Sequence, residues 1–140
     1  QFLVNVAEIH MEEIQLGKLA QQKGATTQVK ELGKMMEDAH TKSLNELIAL
    51  ARTKSIAIPT TATNDARDEF EELNKEAGGD FDKAYTDKMV DNHEDAIRAF
   101  ENASTDAHDT DIKNWASTSL PGLRKHLEKS IECQKSLDIV

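Results

Sequence analysis

Helical spacing across Phe81–Phe100, FDKAYTDKMVDNHEDAIRAF, puts Phe81, Tyr85, Met89, His93, Ile97 and Phe100 on one stripe. A helix that buries this stripe buries an imidazole among apolar side chains. A buried polar group without a partner costs about 1–3 kcal/mol, so something else in the chain must meet His93. Three other polar residues sit in comparable places. Glu13 is flanked by Ile9 and Leu16 on a stripe with Phe2, Val6 and Ala20. His40 lies in the stripe Val29, Leu32, Met36, Leu44 and Leu47. His126 stands beside Leu123 and Leu127. Three imidazoles and one carboxylate form a ligand set for a divalent transition metal, zinc first, copper or iron next, with nickel also compatible. The bland alternative is a metal-free Glu–His hydrogen-bond network that satisfies every member.

The spacing along the chain allows the four to meet. If the segments around Glu13 and His40 fold into a hairpin about Gly24–Thr27, these two lie at one level. If those around His93 and His126 fold about Ser104–Asp109, they match to within about one helical turn, roughly 5 Å. Facing helices of a bundle build metal sites in this way. Other candidates are weaker. Glu37 and His40 have Glu-x-x-His spacing, but Val90 and Leu123 stand three residues before His93 and His126, which argues against a symmetric di-iron centre. His10 could join Glu13 across one turn, but is expected to face outward. His108 lies in a polar turn. Met36 and Met89 read as core packing, and Cys133 as a half-buried thiol. No nucleophile triad, phosphate-cradling glycine loop or zinc finger is present.

The elements that must position these groups are helices. The first spans about Phe2–Gln22, stopped by Gly24, with Thr26 or Thr27 capping the second, which runs to about Lys54. Ser55–Thr63 contains Pro59 and reads as a connection. A short helix capped by Asn64 or Asp65 carries Phe70 and Leu73 and ends at Gly78-Gly79. Asp80 caps the next long helix, to about Ala103, and a final one runs to about Ser136. Pro121 falls inside that last helix, removes a backbone donor and should kink it. The 140 residues suit a single all-α domain, residues 1–140: a four-helix bundle with a short extra helix in the connection between the second and third long helices. Aromatics are 4% of the chain, and there are only two prolines and six glycines, consistent with long unbroken helices.

With 26 acidic against 17 basic residues the net charge is −9, which disfavours nucleic acid and anionic membrane surfaces as partners. A single cysteine excludes an internal disulfide. No apolar run is long enough to span a bilayer.

Four segments, EIQLGKLA (Glu13–Ala20), MMEDAHTKSLNEL (Met35–Leu47), FDKAYTDKMVDNH (Phe81–His93) and LPGLRKHL (Leu120–Leu127), resemble the bacterial domain of unknown function 4142. Members are often labelled outer-membrane proteins. The resemblance implies a ferritin-like bundle, recurrent polar positions at Glu13, His40, His93 and His126, and export to the periplasm or cell envelope. It implies no established activity. The readings it leaves are an exported bundle holding one transition-metal ion, a metal-free structural or interaction module of the envelope, and, as a third, a ferritin-like redox enzyme. It leaves open whether the third long helix runs parallel or antiparallel to the second.

Overall fold

A computed structural model describes residues 1–139 as five α-helices, with no strand among the described residues. They are α1 (Phe2–Lys23), α2 (Thr27–Thr53), α3 (Asn64–Asn74), α4 (Gly78–Asp106) and α5 (Thr110–Ser136), closed by a 3-10 turn at Leu137–Ile139. Among the described residues, no helix is long and apolar enough to cross a membrane.

The helix ends follow from local chemistry. The Thr26 hydroxyl accepts from the Val29 N–H, the Thr63 hydroxyl from Ala66, and the Asp109 carboxylate from Asp111 and Ile112. Four expected boundaries differ: α3 ends at Asn74, before Gly78-Gly79, α4 runs past Ala103 to Asp106, and two helix starts shift. The cap of α3 is Thr63, one residue before Asn64 and two before Asp65, the expected caps. Asp80 is not the cap of the next long helix as expected: that helix begins at Gly78, after Ala77, and Asp80 sits in its first turn. A carboxylate there favours the positive end of the helix dipole as well as a cap would. Gly78 has φ +59°, where a side chain would be strained, so the glycine starts this helix; α3 has already ended, with Lys75 as its C-cap. Beyond α2, Ser55 adopts φ +55° and the N–H groups of Ser55 and Ile56 return to Arg52 and Ala51. That is a Schellman-type stop made with serine in place of glycine. Pro121 does not end α5; it lies on the exposed side of a continuous helix, where water can reach the carbonyl that its missing N–H leaves free.

α1 packs along α2, and α4 along α5; α1 also meets α4, and α2 meets α5. Side-chain ties fix the directions. The buried Asp82 carboxylate, at the start of α4, accepts from the N–H groups of Ala25 and Thr26 and from the Thr26 hydroxyl at 2.8–3.0 Å. At the far end Lys54 pairs with Asp109 and Asp111. α4 therefore starts beside the start of α2 and runs parallel to it, and the connection through α3 crosses back along the length of the molecule. All four neighbouring pairs of long helices are antiparallel.

The α1–α2 hairpin has a fixed register. Leu3, His10 and Gly17 on α1 are each as far from Ala25 along the chain as Leu47, His40 and Gly33 on α2. At Gly17 and Gly33 the backbones come so close that a Cβ added to either would lie 2.6 Å from the other's carbonyl oxygen. Gly33→Ala should therefore destabilise by about 1–3 kcal/mol through overpacking, outweighing a helix-propensity gain of roughly 1 kcal/mol. Gly122→Ala on α5, where an added Cβ meets nothing within 4 Å, should show only the gain. Urea unfolding of the two variants checks this, and equal effects would show that the close approach does not constrain the pair.

Candidate metal centre

Two apolar clusters fill the core. One joins Leu16, Ala20, Val29, Met36, Phe81, Tyr85 and Met89 near the α1–α2 turn. The other joins Leu3, Val6, Leu47, Phe100, Ala116, Leu120 and Leu123 toward the opposite end. Between them lies a layer of four imidazoles, one from each long helix: His10 from α1, His40 from α2, His93 from α4 and His126 from α5. His40 has ring centroids of the other three at 4.9 Å (His10), 5.3 Å (His93) and 6.0 Å (His126). One ligand nitrogen from each of His40, His93 and His126 can be chosen so that all lie within 4.8 Å of one another.

The hydrogen bonds orient these rings. His93 Nδ1 lies 2.8 Å from the Met89 carbonyl, which can only accept, so Nδ1 carries the proton and Nε2 presents a lone pair to the layer. His40 places Nδ1 at 2.7 Å from His10 Nδ1 and Nε2 at 3.3 Å from His93 Nε2. In a metal-free protein one tautomer chain satisfies these contacts: His10 Nδ1–H donates to His40 Nδ1, and His40 Nε2–H donates to His93 Nε2. His126 is outside the chain, its buried Nδ1 having no hydrogen-bond partner. Burial holds His10 and His93 down to about 4 and His40 well below the ordinary 6.5, each assisted by neighbouring imidazoles; burial also lowers His126. All four are therefore neutral near pH 7, the form that ligates metal.

Of the residues singled out from sequence, the structure brings His40, His93 and His126 together. Glu13 is buried, at 1% exposure, but does not belong to that set. Its Oε1 accepts from Asn92 Nδ2 at 2.8 Å, and its Oε2 is buried without a protein hydrogen-bond partner. Glu13 lies on the α1–α4 side, where Lys88 also pairs with Glu12 and Glu69. Burial raises its carboxyl to about 7, against the opposing pull of Asn92 and Lys88. The α1 residue that meets His40 is His10, which does not face outward but is 2% exposed. A signal for it exists in the sequence: Leu3, Val6, His10, Glu13, Gly17 and Ala20 alternate at spacings of three and four. The adjacent apolar Ile9 masks this pattern, and Ile9 is only half-buried. His108 is exposed, as expected, whereas Cys133 is buried in the core and not half-buried.

A family model described as a domain of unknown function, DUF4142, matches residues 1–132. No curated protein and no solved structure gave a match.

The layer sets two opposing pH dependences in the metal-free protein. The histidines titrate lower folded than unfolded, so the stability linked to their neutrality is complete above about 6.5 and is lost as pH falls toward 4. Glu13 titrates higher folded than unfolded, so its contribution is present below about 4.5 and is lost as pH rises through 7. Glu13→Gln should consequently gain stability relative to wild type between pH 5 and pH 8. Denaturant unfolding at both pH values tests it; a pH-independent difference would mean that Glu13 titrates as an ordinary surface carboxylate.

Proposed function

The chain belongs to the DUF4142 family, and we propose that it is a ferritin-like four-helix bundle holding one transition-metal ion on His40, His93 and His126. The observation that carries the reading is the 3.3 Å separation of His40 Nε2 and His93 Nε2. That is long for an N–H···N bond. It matches the separation of about 3.3 Å required of two nitrogens on a tetrahedral zinc at about 2.0–2.1 Å. The outer contacts support it. Met89 takes the proton of His93 Nδ1, leaving Nε2 free, and His10 Nδ1 can accept the proton of His40 Nδ1, with its own proton then on Nε2, which has no protein partner. Such partners fix the tautomer and direction of metal-ligating histidines. His126, whose Nδ1 has no protein partner, gains one ligand bond in the metal-bound form. Zinc is the first choice for an all-nitrogen site, with copper or iron next. Residence in the periplasm or cell envelope is proposed on the family resemblance alone.

The metal-free packing module remains the second reading, favoured by the tautomer chain from His10 through His40 to His93. It leaves His126 without a role, and Glu13 bonds Asn92 and no histidine, so a Glu–His network satisfying every member is not formed.

Titration of zinc, copper and nickel into demetallated, tag-free protein separates the two. Wild type should be stabilised by about 2.7 kcal/mol at an ion concentration one hundred times the dissociation constant. A His40→Ala, His93→Ala double variant should show no such stabilisation. Equal melting shifts in both would refute the metal reading. His10→Ala should keep the ligands but weaken affinity by about 10–100-fold through loss of the outer partner. Affinity should also fall as pH drops and protons compete for the nitrogens.

A further inference from the structure

We infer that the ion's remaining coordination position opens into a cleft between α2 and α5 and takes a small monodentate anion from solution. This rests on the metal reading above. The cleft has a volume of about 330 Å³. The buried His10 and His40 line it together with the half-buried His126, Ser43 and Trp115 and the exposed Gly122. His93 does not line it, so that ligand backs the site from α4. Two of the three ligands thus border a solvent-connected space, and three nitrogens leave one vertex of a tetrahedron for an outside ligand.

Charge supplies the second argument. A dication on three neutral imidazoles keeps its full charge inside a layer sandwiched between apolar clusters, and no carboxylate belongs to the ligand set. An unpaired charge in such surroundings is strongly disfavoured. An anion entering by the cleft offsets it; the exposed Lys42 and Glu46 that line the cleft are of opposite sign and add no net attraction, so the pull on the anion comes from the ion itself. Hydroxide, halide and azide fit this description; the cleft has room for any of them together with hydrating water. Metal and anion must then reinforce one another, each raising the other's affinity by the same factor.

Azide and cobalt(II) are the probes, because four-coordinate cobalt(II) gives visible bands that report its ligands. In cobalt-loaded wild type, azide should shift these bands saturably and tighten cobalt binding. Gly122→Leu places a side chain in the cleft at a position where an added Cβ meets nothing within 4 Å. It should weaken azide binding by at least about tenfold while leaving cobalt affinity without azide within about twofold. Bands that azide leaves unchanged in cobalt-loaded protein would overturn the open position and leave the metal reading standing. If Glu13→Gln alone made the bands respond to azide, the position would belong to Glu13 and the inference would fall. Equal azide affinities in wild type and Gly122→Leu would overturn the cleft as the route. Failure to take up cobalt at all would overturn the metal reading itself.

Discussion

The structure turns on a layer of imidazoles placed where the core should be apolar. Burial forbids these rings their charged form, and a neutral imidazole has one N–H and one lone pair to place. Each contact in the layer therefore dictates the next. Once the Met89 carbonyl claims the proton on His93 Nδ1, the role of His93 Nε2 is settled. That nitrogen can receive a proton from His40 or face a cation alongside it. The choice at His40 then propagates to His10 through their 2.7 Å contact. Few pairwise interactions in a helical core are so strongly coupled, and a missing member leaves its neighbour with a buried orphan.

Such a layer needs helices that cannot slide. The two glycines at the α1–α2 crossing supply this by steric exclusion: only there can the backbones approach so closely, so the hairpin has one register. That register sets His10 opposite His40 two turns away. At the other hairpin no comparable glycine pair exists, and position is set from outside. Asp82 fastens the start of α4 to the α1–α2 turn with three hydrogen bonds, and Lys54 fastens the start of α5 to the end of α2. The crossover through α3 makes both ties possible, because it returns the chain to the end where α2 began.

The sequence made the all-helical class legible because its apolar stripes are long and consistent, and it made His40, His93 and His126 legible because each interrupts or borders such a stripe. It was less informative on α1. There Ile9 and His10 are neighbours, and preferring the apolar residue rotates the inferred face of the helix by about one residue, roughly 100°. The rotation hides His10 and makes Glu13 appear to face His40, whereas Glu13 bonds Asn92 on α4. Level in a hairpin is also too coarse to choose between them, since residues one turn apart satisfy it almost equally. The direction of α4 was not legible at all. It depends on Asp82, a polar residue beside the stripe whose partners are backbone N–H groups far away in the chain, and no periodicity encodes that.

A core interrupted by neutral polar groups is less favourable than one filled with leucine, so the layer is a standing cost to the metal-free fold. The hydrogen-bond chain through His10, His40 and His93 offsets part of it. It does not reach His126, and it does not engage Oε2 of Glu13 or the hydroxyl of Tyr85, both buried without protein partners nearby. An ion on the three histidines would convert the same geometry from a cost to a gain, because binding restricted to the folded chain adds directly to folding stability. The Nε2 atoms of His40 and His93 already have the separation that a tetrahedral ion needs, and a nitrogen of His126 lies within 4.8 Å of the pair. The glycine crossing and the Asp82 tie fix the helices that carry these nitrogens, so the geometry an ion would use is already set by the fold.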